Sequence, residues 1–475
     1  MKKISTCLLA LFLLAVCTTV TAQRQTINIL STNDMHSAIE QMPKLASIAD
    51  SLRKIDPDLI VLSGGDNRTG NPYNDMYEVP AYPMVALMNA VGFNASAIGN
   101  HEWDNNWTGF RTVTNLASFP FLCCNATIPD SMNLKVKPYM FINVKGVKIG
   151  ILGAIQTGVN GLPDSHPKNI KGITFRKPDD VIPEYKWMRD QCDVFILLSH
   201  DGYEEDVETA KLYPFFDQIV GGHSHTLTKP NDIHNGVLIT QVKNKLANAT
   251  HTTIIVEDGK VVSKTSEIID IKNRQSYNED VDKLLQTFMV NPKLEEVLGN
   301  AEADFNNYEE LGCLMCDAIL EGTESDISLQ NGGGVRFDKF LAGPMTVNNV
   351  LQLDPFGNEA IVYEITGKEI GEMIMKCFST DSEQTPYVGG ITYEMILDKN
   401  HKPTSITMKT LDGKKLDLKK KYRFVTNSYV SAILPAPKSD AGTSTFQTCS
   451  DLIMDYIKKK ETVNYQGVCR AVIKQ

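Results

Sequence analysis

The sequence predicts an α/β protein with a layered N-terminal half and a smaller α+β C-terminal half. Short β-branched runs alternate with helical stretches from residue 26 to about residue 270, which is typical of strands covered by helices. The chain has 475 residues, and single hydrophobic cores rarely grow past roughly 250–300 residues. A polar stretch broken by Pro292 separates the halves. We therefore expect two domains.

The strands of the first half end in polar loops, and their order along the chain defines the organisation. The clearest runs are TINILSTND, DLIVLSGGD, NASAIGN, VKIGILGAI, DVFILLSHDG and QIVGGHSH, with helical stretches such as PKLASIADSLRKI between them. The second half opens with a helical pattern at 311–320, continues with DISLQNGGGVR and ends in mixed strands and a helix near 450–459. We divide the chain into an N-terminal segment at 1–22, a first domain at 24–272, a linker with a helix at 273–299 and a second domain at 300–475.

The first residues predict export. Lys2 and Lys3 precede a short apolar stretch, and Val-Thr-Ala ending at Ala22 is the small-residue pattern of a signal cleavage site. The stretch is shorter than the about 20 apolar residues that span a bilayer, and no later segment is apolar enough to span one. Cys17 is a poor lipid-anchoring site because Val16 before it is bulky. We expect a periplasmic, extracellular or cell-surface protein without a transmembrane segment.

The charge and the cysteines exclude some partners and cofactors. The net charge of −10 becomes −12 when two lysines leave with the signal, which argues against a nucleic-acid polymer as partner. Small anionic molecules remain possible partners, and the oligomeric state and disulfide pairing stay open. Cys313 and Cys316 lie at helical spacing in LGCLMCDAIL, which favours a buried helix face over a zinc or redox pair.

Five of the nine histidines follow predicted strands. They are His36, His101, His200, His223 and His225. Because strand carboxyl ends gather at one edge of an α/β sheet, we expect these side chains to converge. Asp34, Asp66 and Asn100 stand at equivalent places. Carboxylate, amide and imidazole ligands suit Mn, Zn, Fe or Mg, and two such ions about 3.5–4 Å apart form a hydrolytic clamp on phosphate.

The order of these blocks, D-x-H, GGD, GNH, H and GHSH, resembles the calcineurin-like metallophosphoesterases. The whole chain resembles the exported 5′-nucleotidase family, which adds a C-terminal substrate-binding domain. The resemblance implies an αββα sandwich for the first domain and two divalent metal ions. It implies that Asp34, His36 and His225 hold one ion, that Asn100, His200 and His223 hold the other, and that Asp66 bridges them. It places His101 beside the scissile phosphate, with Asp104 as its orienting partner.

These implied roles agree with the chemistry of the residues. Asn100 offers an oxygen ligand without adding negative charge to a site that must admit phosphate. His101, adjacent in the chain, cannot reach the same ion and can instead donate to the developing charge. Asp104 would fix its tautomer, and such donors are often worth about 10²–10³ in rate. We expect a water or hydroxide held by the metal pair to attack phosphorus in line, without a covalent enzyme intermediate.

The second half carries the predicted substrate contacts. In NGGGVR at 331–336, the glycines let the backbone approach a ligand and Arg336 offers a fork for anionic oxygens. We include Asn331 and Gly333 as contacts. CDAIL, this turn and PFGN at 355–358 follow one another in the same order as in the nucleotidase C-terminal domain, which this part of the chain resembles. The resemblance implies that Arg336 contacts the substrate and that the domain moves on the linker.

Two aromatic rings hold the base in this family, and this chain departs from the family pattern at the second. Tyr387 in TPYVGGITY is the candidate for the first ring. The family's late GGDG loop is missing, so Phe446 is our candidate for the second ring and Tyr429 is its alternative. Stacking is worth roughly 1–3 kcal/mol per base, so the loss of one ring would loosen base preference without disabling the metals.

We interpret the chain as an exported dinuclear metallophosphohydrolase that releases phosphate from nucleoside 5′-phosphates. Three enzymatic alternatives stay open: a 2′,3′-cyclic-nucleotide phosphodiesterase, a UDP-sugar hydrolase and a thiosulfohydrolase. A further alternative is not an enzyme but a ligand-binding homologue that has lost its activity. Such a protein would be expected to lack some of the metal ligands. The acidic stretch HDGYEED after His200 is interpreted as a solvated loop.

Overall fold

The structure is a computed structural model that describes residues 24–475 except 159, 382, 383, 436 and 438. The predicted export signal at 1–22 and Cys17 lie outside the described residues. Within these limits, no helix combines the length and the apolar character needed to cross a membrane.

Two sheets form the first half. Their strands, with one further pair, are β1 (Arg24–Thr32), β2 (Ile60–Ser63), β3 (Ala95–Ala97), β4 (Phe121–Leu122), β5 (Ala126–Thr127), β6 (Val136–Lys137), β7 (Tyr139–Val144), β8 (Val147–Ile155), β9 (Thr174–Phe175), β10 (Val194–His200), β11 (Gln218–Val220), β12 (Ile233–His234), β13 (Val237–Thr240), β14 (Asn248–Glu257) and β15 (Lys260–Asp270). The seven-stranded sheet has the order β15-β14-β1-β2-β3-β4-β6, and the six-stranded sheet has the order β12-β13-β11-β10-β8-β7.

The central strands of both sheets are parallel. Ile29 of β1 lies opposite Ile60 of β2, and Leu62 of β2 lies opposite Ala95 of β3. In the second sheet, β10 pairs in parallel with both β8 and β11. Parallel strands are covered on both faces, which explains the unbroken apolar runs IVLS in β2 and VFILL in β10. Consequently, their carboxyl ends meet at one edge.

Helices cover the outer faces of the sandwich. They are α1 (Met42–Arg53), α2 (Pro72–Asp75), α3 (Tyr82–Val91), α4 (Asn106–Leu116), α5 (Pro178–Val181), α6 (Tyr203–Leu212) and α7 (Glu279–Phe288). One core fills the space between the sheets. A second core joins the seven-stranded sheet to α1, α3, α4 and α7, and a third joins the other sheet to α6 and a 3₁₀ helix at Ile182–Gln191. The predicted αββα fold class is confirmed.

The predicted linker contains α7. Val281, Leu285 and Phe288 lie on one face of this helix and are buried in the core of the first half. Asn278 caps the helix by accepting hydrogen bonds from the backbone N–H groups of Asp280 and Val281. The linker helix therefore belongs to the outer layer of the sandwich. The domain boundaries at 272 and 299 stay a prediction.

The second half combines three sheets with five helices among the described residues. Its elements are β16 (Val297–Ala301), α8 (Tyr308–Gly322), β17 (Ile327–Gln330), β18 (Gly343–Thr346), α9 (Val347–Leu353), β19 (Glu359–Thr366), α10 (Gly367–Thr380), β20 (Tyr387–Gly389), β21 (Ile391–Leu397), β22 (Pro403–Thr410), β23 (Lys421–Asn427), α11 (Ser428–Ile433), β24 (Thr443–Thr448), α12 (Cys449–Lys460), β25 (Thr462–Val463) and β26 (Ala471–Lys474). The central sheet has the order β20-β17-β23-β19-β24. Cys313 and Cys316 are buried free thiols in α8.

The acidic stretch after His200 differs from its prediction. It is not a solvated loop throughout, because α6 begins at Tyr203 and the side chain of Asp206 is fully buried. Burial raises the pKa of Asp206 well above its ordinary value. Asp206 is therefore buried between α6 and the six-stranded sheet and does not lie on the surface.

Candidate metal centre and active-site cavity

The seven predicted metal ligands lie at the carboxyl ends of strands from both sheets. They are Asp34 and His36 after β1, Asp66 after β2, Asn100 after β3, His200 at the end of β10, and His223 and His225 after β11. Since these strands run in the same direction within each sheet, their ends bring the side chains to one edge of the sandwich.

One group of ligands comes from β1 and β11. Oδ1 of Asp34 lies 3.5 Å from Nε2 of His225 and 3.9 Å from Nε2 of His36. The two Nε2 atoms of His36 and His225 are 3.0 Å apart. One ligand atom from each of the three residues lies within 4.8 Å of the others, so the group is compact enough to surround a single cation.

A second group adjoins the first. Nε2 of His200 lies 3.1 Å from Oδ2 of Asp66 and 3.2 Å from Oδ1 of Asn100. The Asn100 oxygen also lies 3.1 Å from Nδ1 of His223. Asp34, Asp66 and His200 again offer atoms within 4.8 Å of one another. The two groups therefore adjoin each other at Asp34 and Asp66.

The backbone of the ligand turns is unusual. Residues other than glycine rarely adopt positive φ, and the conformation costs of order 1–3 kcal/mol where it persists. A Cβ atom on Gly99 would clash with the amide and carboxylate of Asp66, which explains the glycine before Asn100. Five of the seven ligands have positive φ: Asp34 (48°), His36 (43°), Asp66 (52°), His223 (77°) and His225 (53°).

Glu102 supports these turns, and the sequence analysis assigned it no role. Its buried carboxylate accepts hydrogen bonds from the backbone N–H groups of Asp66 (3.0 Å), Asn67 (2.8 Å) and Gly99 (2.6 Å). The residue thus ties the turn after β2 to the turn after β3. Its position in GNHEWD, between His101 and Asp104, was the available signal.

His101 and Asp104 form a close pair beside the ligands. Nδ1 of His101 lies 2.6 Å from Oδ2 of Asp104. Nε2 of His101 lies 3.9 Å from Oδ2 of Asp66, so this nitrogen faces the metal ligands. Burial opposes protonation of the ring, but the carboxylates of Asp104 and Asp66 raise the pKa of His101 above its ordinary value. The pair can therefore hold a proton at the edge of the cluster.

The charge of the cluster fits divalent cations. Asp34 and Asp66 are both buried, and buried carboxylates are costly without positive charge nearby. Burial disfavours the ionised form of Asp66, but His200 and His101 hold its pKa well below the ordinary range. Burial likewise opposes protonation of His200, while Asp66 raises its pKa to about 10. The Nε2 atoms of His36 and His225 also face each other, as the ligands of one shared ion would.

A cavity of about 890 Å³ lies between the halves and includes this cluster. Arg336, Asn331 and Gly333 line it from the turn after β17. The Arg336 side chain is partly buried, and its terminal nitrogen lies 3.2 Å from Nε2 of His36. Oδ1 of Asn331 accepts a hydrogen bond from the Asn427 side chain at 3.0 Å. The structure therefore brings the predicted anion-binding turn to the predicted metal ligands.

The two predicted aromatic contacts are placed differently. Tyr387 lines the cavity, although most of its ring packs against α8 at Gly312. Phe446 lies in β24 with 86% of its surface exposed and is not among the cavity-lining residues. Tyr429, the alternative to Phe446, does line the cavity. The structure thus brings Tyr387 and Tyr429 to the site and leaves Phe446 outside it.

Phe356 is an aromatic residue of the cavity that the sequence analysis missed. Its ring stacks on His101 with centroids 5.7 Å apart and an angle of 22° between the planes. The Arg336 guanidinium lies 5.8 Å from the ring centre. Phe356 belongs to PFGN, so the motif was recognised but its aromatic side chain was not assigned.

Two further loops were also missed. The loop after β8 contributes Asp164 and Ser165 to the lining, and the loop after β13 contributes Asn244 and Lys245. The Asn244 side chain lies 3.0 Å from Nδ1 of His225, and the Lys245 ammonium donates to the Arg336 carbonyl at 2.9 Å. None of the five histidines that indicated the site from the sequence lies in these loops, although β8 and β13 end at the same edge.

Comparison with known proteins identifies the family. The profile described as "Calcineurin-like phosphoesterase" matches residues 27–227, and that described as "5'-nucleotidase, C-terminal domain" matches residues 295–432. The chain belongs to the 5′-nucleotidase family of calcineurin-like phosphoesterases. It is therefore a metal-dependent phosphoric ester hydrolase, as the sequence analysis predicted.

Relatives match along most of their length. The chain is 27% identical to "Protein UshA" of Yersinia enterocolitica over 85% of this chain and 84% of the relative. It is 28% identical to a "5'-nucleotidase" of Vibrio cholerae over 88% of both chains. A solved 5′-nucleotidase precursor from Thermus thermophilus superposes with a TM-score of 0.84 at 23% identity, covering 95% of this chain and 100% of that one. This last likeness supports the two-part fold.

Proposed function

We propose that this enzyme hydrolyses nucleoside 5′-phosphates to nucleoside and phosphate at a centre of two divalent cations. The observation that carries the proposal is the contact between Arg336 and His36, in which a guanidinium from the second half lies 3.2 Å from a metal ligand of the first. A phosphate placed there would contact the cations and the arginine together. The name of the Vibrio cholerae relative, "5'-nucleotidase", supports this substrate class.

The ligand set divides between two cations. Asp34, His36 and His225 would hold one, Asn100, His200 and His223 would hold the other, and Asp66 would contact both. When bound, such a pair neutralises phosphate oxygens and lowers the pKa of a coordinated water to about 7. The donor types suit Mn, Zn, Fe or Mg.

The chain's own residues supply orientation and a proton. Asp104 holds Nδ1 of His101 at 2.6 Å, so Nε2 is the nitrogen presented to the phosphate. The raised pKa of His101 favours a protonated ring, which can donate to the oxygen that leaves with the nucleoside. Arg336 binds the remaining phosphate oxygens and aligns them.

The nucleoside would lie among the aromatic residues of the second half. Phe356 and Tyr429 line the cavity, and Phe356 lies next to both His101 and Arg336. This placement supports Phe356 and Tyr429 as stacking partners more strongly than Phe446. Tyr387 stays a candidate because part of its ring reaches the cavity.

We also propose that the enzyme acts outside the cytoplasm. The lysines, the apolar stretch and the cleavage pattern at residues 1–22 support this location. Expression with the complete N-terminus followed by cell fractionation and N-terminal sequencing would test it, with cleavage after Ala22 as the expected result.

The substrate assignment can be tested by phosphate release. The purified enzyme would receive AMP, 2′,3′-cyclic AMP, UDP-glucose or p-nitrophenyl phosphate with Mn²⁺, and parallel samples would receive a chelator. We expect AMP to be the best substrate, the chelator to abolish turnover and Mn²⁺ to restore it. A higher kcat/KM for the cyclic nucleotide or UDP-glucose would favour those alternatives. A metal-loaded protein inert towards all four compounds would contradict the proposal.

A further inference from the structure

We propose that two carboxylates of the cavity wall, Asp164 and Asp381, make this enzyme select substrates with a neutral, hydroxyl-rich leaving group. Substrates whose leaving group is itself an anion would be disfavoured. This inference rests on the proposed function, because it concerns the part of the substrate that departs from the phosphate. It would separate nucleoside monophosphates from nucleoside diphosphates that lose their terminal phosphate.

Asp164 lies between the metal ligands and the open cavity. Its Oδ2 atom is 3.5 Å from Nε2 of His223. The other ring nitrogen, Nδ1, faces the Asn100 oxygen at 3.1 Å, so Asp164 lies on the outer side of this histidine. Its side chain is 32% exposed. The carboxylate can therefore contact a molecule in the cavity without displacing a metal ligand.

Asp381 contributes a second carboxylate from the other half of the molecule. It is buried beneath the glycine-rich turn, where it accepts hydrogen bonds from Gly333 N–H at 2.8 Å and from the Asn331 side chain at 3.3 Å. Both donors are neutral, and among the described residues no lysine or arginine forms an ion pair with this carboxylate. Burial and the charge of Asp164 raise the pKa of Asp381 to about 6, against the opposing effects of these hydrogen bonds and of Arg336. Both acids line the same cavity.

Tyr429 lines the cavity together with both acids. Burial raises its pKa well above the ordinary value, and the charges of Asp164 and Asp381 add to this effect. Tyr429 lines the cavity and is our proposed stacking residue. A leaving group that stacks on Tyr429 would thus share the cavity with both carboxylates.

Ser165 is an independent sign that a ligand completes this wall. The residue is only 3% exposed, and its hydroxyl has no hydrogen-bond partner in the described part of the chain. A buried hydroxyl without a partner costs free energy, and such groups are rare in folded proteins. Ser165 follows Asp164 and lines the same cavity. Sugar hydroxyls could donate to the carboxylates and satisfy the serine.

Two cations of the cavity, Arg336 and Lys245, lie beside the predicted metal ligands. Arg336 reaches His36, and the Lys245 ammonium donates to the carbonyl of Arg336 at 2.9 Å. Lys168, the remaining lysine of the lining, is exposed to solvent. A single phosphate would therefore find its positive partners beside the metal ligands. A second phosphate, carried by the leaving group, would lie near the two carboxylates and be repelled, at a cost of about tenfold in kcat/KM.

The first test compares AMP with ADP. In both, the terminal phosphate is released, but the leaving group is neutral adenosine from AMP and anionic AMP from ADP. We expect the parent to have a kcat/KM for AMP about tenfold or more above that for ADP. Asp164→Asn and Asp381→Asn should each lower this ratio by about threefold to tenfold. Asp280→Asn, which removes an exposed carboxylate of α7, should leave the ratio unchanged.

The ratio separates specificity from a general loss of function. If Asp164 only orients His223, its replacement slows AMP and ADP equally and the unchanged ratio overturns the inference. A parent that prefers ADP also overturns it. Hydrolysis of p-nitrophenyl phosphate with Mn²⁺ shows whether the proposed function itself holds. A parent active on this compound and on AMP, with ratios insensitive to both substitutions, refutes the inference alone.

A second test uses the parent only and does not depend on the folding of any variant. Glycerol 2-phosphate and 2-phosphoglycerate differ in one group, a hydroxymethyl in the first and a carboxylate in the second. We expect glycerol 2-phosphate to have a kcat/KM about tenfold or more above that of 2-phosphoglycerate. Equal values, or a preference for the acid, would overturn the inference.

Discussion

The two ends of the cavity are built in different ways. At the metal end, all seven predicted ligands come from strand ends of one sandwich, and Glu102 binds the backbone of two of the turns. At the other end, Asp164 comes from the first half, whereas Asp381 and Tyr429 come from the second. The predicted metal ligands thus belong to one half, while recognition of the substrate depends on both. Substitutions at the metal end should slow every substrate, whereas those at the other end should change substrate choice.

The strongest test of the metal end is Asp66→Asn. The substitution removes the negative charge proposed to contact both cations, and we expect kcat/KM to fall by about a thousandfold or more for every substrate. Metal content measured by mass spectrometry should fall with activity. The control Asp280→Asn removes a carboxylate far from the ligands and should change neither quantity. Normal turnover with Asp66→Asn would show that the metal end is assigned wrongly.

Removal of the proton donor should have the next largest effect. We expect His101→Ala to lower kcat for AMP by about 10²–10³, with metal content unchanged because His101 is not one of the seven ligands. The loss should be smaller for p-nitrophenyl phosphate, since its leaving group needs no proton. Steady-state kinetics on the two substrates would measure this difference. Turnover of AMP as fast as the parent's would contradict the role.

Glu102→Gln should weaken the support of the turns. A neutral amide accepts fewer hydrogen bonds than the carboxylate, which binds three backbone N–H groups. We expect kcat/KM to fall by about tenfold to a hundredfold for all substrates. The melting temperature should fall by a few degrees.

Glu310→Gln is a matched control. Glu310 is also buried and accepts the backbone N–H groups of Asn306 and Gly467 in the second half. It should lower the melting temperature similarly but leave kcat nearly unchanged. Equal losses of activity in both variants would mean that Glu102 acts only through overall stability.

The smallest effect should come from substitution of Phe356, the aromatic residue that stacks on His101. We expect Phe356→Leu to raise KM for AMP by about tenfold, which corresponds to the roughly 1–3 kcal/mol of one stacking contact. The change should be smaller for p-nitrophenyl phosphate, which has no base. Phe446→Leu should stay within about twofold of the parent because its ring is exposed outside the cavity. The opposite ranking would restore Phe446 as the stacking residue.

These tests also mark what the sequence could predict. The fold class followed from the alternation of strands and helices, which reflects the buried parallel sheets. The convergence of the predicted ligands could be foreseen because metals accept few side-chain types and because parallel strands bring their ends together. The positions predicted for His36, His200 and His225 therefore needed no knowledge of the second half.

The other residues depended on tertiary structure. Any aromatic ring can stack on a base, so the residue type of Phe356 did not distinguish it from Phe446. Asp164 and Asp381 lie about 200 positions apart in the chain. They line one cavity only because the two halves meet. Asp206 looked like a surface acid because polar neighbours surround it in sequence, whereas α6 turns it inward.

The hydrogen bonds of Glu102 have a consequence for how the enzyme is supplied with metal. They tie the turns together through main-chain amides, which are not donors to a cation. We therefore expect the turns that carry Asp66 and Asn100 to keep their shape without bound ions, so that metal could be taken up again without refolding.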